Sequence, residues 1–179
     1  MQLQAIDLNH TSGLRKRARA LYHTAFPKEE RLPWWILRLN ACRNGIDLTA
    51  FLDGDTFCGF TASVTAENMH FLLFFAIADD LRGRGYGSAI LQKLRAEHGT
   101  VILNVELLDP AAANFDQRKR RFAFYQRNGF VDTFYHVWEV GGKFRVLSTD
   151  PALNVAQYKK IFKKLSLGFW DVKLLPAKE

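Results

Sequence analysis

Apolar residues recur along the chain in two rhythms, and the switches between them mark out its elements. Gln2 to Asp7 fits a short strand. From Ser12 to Phe26 the positions Leu14, Ala18, Leu21, Tyr22 and Ala25 follow the three-and-four spacing of one helix face. Thr11 or Ser12 supplies the N-cap and Pro27 the end. A second helix is expected from about Leu32 to Arg43, carrying Trp34, Trp35, Leu37 and Leu39, with Asn44-Gly45 as its stop. Asp47 to Leu52 and Thr56 to Thr65 read as strands around the hairpin turn Asp53-Gly54-Asp55. Met69 to Ala78 follows Glu67-Asn68 and is apolar on both faces over most of its length, which places it centrally in a sheet.

After Asp79-Asp80 the period lengthens again. Tyr86, Ile90 and Leu94, with Leu91 beside them, define a helix that runs to Glu97 and is stopped by Gly99. Val101 to Leu107 is a strand, Asp109-Pro110 opens a loop, and a helix from about Asp116 to Asn128 is capped by Gly129. Phe130 to Val140 and Lys143 to Leu147 form a hairpin around Gly141-Gly142. Asp150-Pro151 breaks the chain before a short helix from about Asn154 to Leu165 and a lysine-bearing tail. The order β-α-α-β-β-β-α-β-α-β-β-α predicts an α+β fold: a mixed, mostly antiparallel twisted sheet flanked by helices, with a right-handed β-α-β unit at its centre.

Composition narrows the picture. The chain has 179 residues, 48% of them apolar, enough for one well-filled core. Its formal charge of +7 favours polyanionic partners such as nucleic acid, acidic membranes or a phosphorylated cofactor. The aromatics fall at core spacings rather than alternating with basic residues, which argues against nucleic acid. No basic-then-apolar leader opens the chain, and the longest apolar run, Phe71 to Ala78, falls short of the ~20 residues that span a bilayer. The expectation is a cytoplasmic protein, monomer or homodimer, with no membrane or nucleic-acid partner. Cys42 and Cys58 lack CxxC spacing and sit among apolar neighbours, so both are expected to be buried free thiols. No metal site is expected.

The most specific feature is Arg82-Gly83-Arg84-Gly85-Tyr86-Gly87, which follows the central strand and opens a helix. Each glycine costs roughly 1 kcal/mol relative to alanine inside a helix. An approaching phosphate offsets that cost, because bare first-turn amides and the helix dipole bind it. The segment is no P-loop, since GxxxxGK[ST] is absent. It is no dinucleotide loop either: counted from Gly83, the sixth residue is Ser88. The remaining pattern, Arg82-x-x-Gly85-x-Gly87, resembles the coenzyme A loop of the GNAT N-acetyltransferase superfamily. Phe124-Tyr125-Gln126-Arg127-Asn128-Gly129-Phe130 is similar to that superfamily's FYxxxGF segment. Together the two cover roughly residues 47 to 148.

The resemblance implies a domain over residues 1–150, with 151–179 as a C-terminal helical extension of it, and parallel strands that splay around the cofactor. It implies an enzyme that moves an acetyl group from the cosubstrate acetyl-CoA to a primary amine of a small molecule or peptide, by direct attack in a ternary complex. Ala76, Ile77, Ala78, Arg82, Gly83, Arg84, Gly85, Tyr86, Gly87, Ser88 and Asn114 would hold the cofactor. Tyr125 would protonate the leaving thiolate, since a phenol of pKa ~10 is protonated at neutral pH and a thiolate of pKa ~8.5 accepts. Related enzymes often carry a glutamate base at the place of Asn104; Glu106, on the same strand face, is the expected substitute, with Glu67 and His70 as lesser candidates. Trp34 and Trp35 would wall the acceptor pocket, and Arg118 to Arg121 form a solvated or cofactor-facing basic run. The departure at Asn104 leaves open a second reading, a coenzyme A sensor without turnover.

Overall fold

The computed structural model describes residues 1–43, 45–139, 142–165 and 172–177. Asn44 of the expected helix stop, Val140 of the expected strand and Gly141 of the expected hairpin turn lie outside them. The elements follow the predicted order: β1 (Leu3–Asp7), α1 (Ser12–Ala25), α2 (Trp34–Ala41), β2 (Ile46–Asp53), β3 (Thr56–Ala66), β4 (Met69–Ile77), α3 (Tyr86–His98), β5 (Thr100–Glu106), α4 (Phe115–Arg127), β6 (Val131–Glu139), β7 (Gly142–Ser148) and α5 (Val155–Leu165). A strand that periodicity did not reveal, β8 (Leu174–Pro176), pairs with Tyr135–Val137 of β6. Three residues are too few to show a period.

The sheet runs β1-β2-β3-β4-β5-β7-β6-β8, and only the β4/β5 pair is parallel. The fold is therefore α+β with a mixed, mostly antiparallel sheet, and α3 is the crossover of its β-α-β unit. The expected hairpin β6/β7 forms, but β7 is the strand that pairs with β5.

One residue in β4 sets the geometry of everything that follows. Between Ala62↔Phe74 and Ser63↔Leu72 the register advances one residue on β3 and two on β4, so Leu73 is the extra residue of a β-bulge. In a regular strand Leu72 and Phe74 would share a face. Here Leu72 joins the core under α3 with Ile90, Leu91 and Leu94, whereas Phe74 meets Tyr22 of α1 edge-on at 4.9 Å on the other side. Parallel pairing with β5 ends at the same place, at Leu72↔Leu103. Beyond it the two strands diverge, which matches the splay implied by the resemblance.

α1 and α2 cover β2, β3 and the far half of β4; α5 covers the near part of β3 together with β4, β5 and β7 on the same side through Tyr158, Ile161 and Phe162. The opposite side is covered by α3 and α4. Among the described residues, no helix is long and apolar enough to cross a membrane. Cys58 is a buried free thiol as expected, but Cys42 is exposed: it is the C-cap of α2, one position past Ala41, the last buried residue of that helix.

Candidate active site

A cleft of about 1000 Å³ opens where β4 and β5 part. Its lining runs from the glycine segment at one end to the α1–α2 connection, the end of β6 and α5 at the other. Past Leu72 the edge of β4 that faced β5 has no strand partner, and Leu73 to Ile77 all border the cleft. Ala76 and Ile77, two of the expected cofactor contacts, are among them. Ala78 is not, and its amide donates to the Cys58 carbonyl at 2.9 Å and has no hydrogen to offer a ligand.

At the glycine end, Gly83 and Gly85 hold φ of +77° and +86°, and Gly85 is the left-handed N-cap of α3. Among the described residues, the amides of Gly83, Gly85, Tyr86, Gly87 and Ser88 donate to no carbonyl or side chain, while Arg84 donates its own to Leu81 at 3.3 Å. Arg82, Gly83, Gly85, Gly87 and Ser88 border the cleft. The result is a row of open donors at the positive end of a helix, the arrangement that binds a diphosphate. Gly87 has another reason to be glycine: a Cβ there would stand 3.1 Å from Cζ of Phe124, so it lets α4 approach α3.

Two side chains of this segment are engaged by neighbouring carboxylates. The Tyr86 hydroxyl donates to Asp53 at 3.1 Å, and Arg82 pairs with Asp79 at 2.6 Å on the surface. Only backbone atoms of Tyr86 can serve a ligand here. Asn114 is displaced too: as N-cap of α4 it donates to Glu106 at 3.1 Å and accepts from Arg118 at 2.7 Å, beside a smaller cavity under Phe26 and Pro27.

Tyr125 sits in the last turn of α4, packed against Phe124 and Phe130, and borders the cleft. Its hydroxyl has no protein partner among the described residues. Burial pushes the phenol up to about 12, with Arg121 opposing, so it stays protonated over the whole physiological range.

Glu106 also borders the cleft, but its carboxylate is held by Arg121 at 2.7 Å and Arg118 at 3.1 Å. Both of its oxygens are engaged in ion pairs, which counts against the base role expected of it. The basic run that begins α4 is thereby partly consumed inside the protein. Glu67 pairs with Lys160 on the surface, and His70 is buried against His98, its pKa pushed down to about 3 by burial. Neither borders the cleft.

Sequence reasoning missed Glu139, the last residue of β6. It lies recessed in the cleft, accepts a hydrogen bond from the Asn104 carboxamide, and is raised by burial to about 7. Asn104 in turn accepts from the Tyr158 hydroxyl of α5 at 3.0 Å. The available signal was strand alternation: Glu139 shares a face with buried Val137, an unusual place for a carboxylate.

The acceptor wall needs correction as well. The α1–α2 connection borders the cleft through Phe26, Glu30 and Leu32, and the Tyr22 hydroxyl anchors it by donating to the Leu32 carbonyl at 3.1 Å. Trp34 is buried in the core against Tyr22 and Phe60, and Trp35 points into solvent. Pro33 sets α2 so that Trp34 faces the sheet, and its neighbour one helical step on must then face out. Trp34→Ala is therefore expected to cost about 3–5 kcal/mol of stability, and Trp35→Ala less than about 0.5 kcal/mol. Chemical denaturation of the two variants checks this; equal costs would contradict the placement.

Comparison with known proteins gives a consistent picture. Residues 46–132 match the family model described as acetyltransferase (GNAT) domain. YjbC of Bacillus subtilis (strain 168) is 29% identical over an alignment of 119 residues that covers 60% of this chain and 53% of that protein. The chain thus spans about half the length of this curated relative. A GNAT-family protein of Bacteroides thetaiotaomicron shares the fold with a TM-score of 0.70 at 23% identity, over 95% of this chain and 100% of its own. An aminoglycoside 6'-N-acetyltransferase solved with coenzyme A does so with a TM-score of 0.66 at 16% identity, over 86% and 100%.

Proposed function

From the premise that this chain belongs to the GNAT acetyltransferases, its family domain spanning residues 46–132, we propose that it is an N-acetyltransferase acting on a primary amine with acetyl-CoA as cosubstrate. The observation that carries this reading is the set of open amides from Gly83 to Ser88 at the head of α3, bordering a cleft made by strand divergence. These amides fit the diphosphate of the cosubstrate. The unpaired edge of β4 from Leu73 to Ile77 fits the amide groups of its pantetheine arm and leaves donors for the carbonyl oxygen. Tyr125 holds a proton for the departing sulfur. Burial raises the pKa of the phenol, and it raises that of a thiolate beside it for the same reason.

The far end of the cleft supports an amine acceptor with an apolar body. Phe26, Leu32, Phe144 and Phe162 supply apolar surface, and Glu30 and Glu139 supply carboxyl groups. The YjbC likeness does not bear on which amine. The second reading, a coenzyme A sensor without turnover, draws on Asn104 standing where related enzymes carry a glutamate. Glu139, hydrogen-bonded to that same Asn104, returns a carboxyl group to the site.

Calorimetric titration with acetyl-CoA, followed by free-thiol release over a panel of primary amines, tests the proposal. Saturable binding with sustained thiol release is expected. Absence of binding at millimolar acetyl-CoA overturns both readings, and binding without release on any amine favours the sensor.

A further inference from the structure

We propose that the Glu139 carboxylate takes the proton lost by the acceptor nitrogen, and that Asn104 and Tyr158 are positioning residues that aim it. This assignment rests on acetyl transfer as read above and names the group that does its base chemistry.

The argument begins with the divergence of β4 and β5. Asn104 is the first β5 residue beyond the last parallel pair, Leu72↔Leu103, so its side chain stands at the fork. It lies one position after Leu103, which packs under α3 and α4, and therefore projects to the opposite side, where α5 lies. There the Tyr158 hydroxyl donates to its Oδ1 at 3.0 Å, and its Nδ2–H group donates to Glu139 Oε1. A carboxylate only accepts, so Asn104 must donate to Glu139, while the Tyr158 hydroxyl lies within reach of both ends of the carboxamide, donating to Oδ1 and 2.8 Å from Nδ2. The carboxamide is held from both ends, and one oxygen of Glu139 is fixed. Among the described residues, the other oxygen has no protein partner, and Glu139 borders the cleft.

The surroundings decide what that free oxygen can do. The groups facing it from the packed elements are Asn104 of β5 and Tyr158 of α5, with Phe144 of β7 and Phe162 of α5 as apolar walls of the same cleft. Glu106 with its partners Arg118 and Arg121, and Glu30 of the α1–α2 connection, border the cleft farther along. No cation among the described residues pairs with Glu139, in contrast to Glu106. Burial raises Glu139 to about 7, with Asn104 opposing, and a base poised near working pH is the most effective kind. Tyr158 is pushed well above its ordinary range by burial and the adjacent carboxyl group, so it remains a donor.

The step balances as follows. The bond from the amine nitrogen to the acetyl carbonyl carbon forms, and the carbon–sulfur bond breaks. An ammonium acceptor gives its extra proton to Glu139 before attack; the proton that the nitrogen sheds as the amide forms passes to solvent, the sulfur receives one from Tyr125, and both groups are reset through solvent. No oxidant, reductant or further reactant is involved.

Two nucleophiles separate this role from a structural one. Ethylamine is almost wholly protonated at pH 7 and needs a base; hydroxylamine is already neutral there. Thiol release from acetyl-CoA in excess of the protein-free rate is measured with each between pH 6 and 9, for the unaltered chain, Glu139→Gln, Asn104→Ala and Tyr158→Phe. Calorimetry with coenzyme A checks that each variant keeps its fold and cofactor site. For the unaltered chain with ethylamine, the rate should rise with pH and level off above about 7, the value burial imposes on Glu139. Glu139→Gln should lose about a hundredfold or more with ethylamine at pH 7, lose far less with hydroxylamine, and show a rate that keeps climbing with pH. Asn104→Ala removes a bond that favours the charged carboxylate, so the rising limb should move to higher pH; Tyr158→Phe should move it the same way by less. If Glu139→Gln matches the unaltered chain with ethylamine, or loses equally with both nucleophiles while keeping the levelled profile, the assignment is overturned. If the unaltered chain binds acetyl-CoA but releases thiol with neither nucleophile, the transferase reading itself fails and takes this one with it.

Discussion

Gly85→Val is expected to fold and to lose acetyl-CoA binding, with Kd rising at least about a hundredfold, or roughly 2.7 kcal/mol. Gly85 is the N-cap of α3 at φ +86°, a region that a β-branched residue enters only at a cost of roughly 1–2 kcal/mol. Space is not the obstacle, since the nearest side-chain atom to an added Cβ is Cε of Met1 at 3.8 Å. The fold therefore survives, but the valine either twists the backbone or holds its methyl groups over the amides that follow. Either outcome removes the row of donors. Calorimetry with acetyl-CoA measures the affinity and a thermal melt checks the fold. A variant that melts near the parent temperature and binds normally would place the diphosphate elsewhere.

Tyr125→Phe should behave in the opposite way, keeping acetyl-CoA affinity and losing turnover by about 10²–10⁴-fold. The ring is packed against Phe124 and Phe130, and phenylalanine preserves those contacts. The hydroxyl has no protein partner among the described residues, so its removal leaves no orphaned group and stability should hold or rise slightly. That separation makes the experiment informative: a drop in thiol release with unchanged binding and melting isolates the proton donor. Unchanged turnover would mean that the thiolate takes its proton from solvent.

Much of the architecture was legible in the chain because it is local. The stripe Tyr86, Ile90, Leu94 fixes α3, the apolar run of β4 makes that strand central, and Gly129 ends α4. The glycine segment was legible for the same reason, since its two positive φ values and the close approach of Phe124 to Gly87 leave few alternatives to glycine. The side-chain roles were less so. Trp34 and Trp35 look alike in sequence, and a rotation of one helical step sends one into the core and the other into water. Glu106 looks like a free carboxylate until α4 brings Arg118 and Arg121 onto it.

By itself the sequence determined the order of the elements, the open amides at the head of α3 and the place of Tyr125, because periodicity, backbone sterics and helix ends act between near neighbours. Only the tertiary structure decided that Leu73 bulges, that β4 and β5 part beyond Leu72 and Leu103, and that β7 lies between β5 and β6. It alone brought Asn104 together with Glu139, 35 residues away, and with Tyr158, 54 residues away. Alternation tells which side of a strand is apolar but not which strand lies beside it. The register between distant strands, set by how the whole core packs, is what turns three scattered polar side chains into one site.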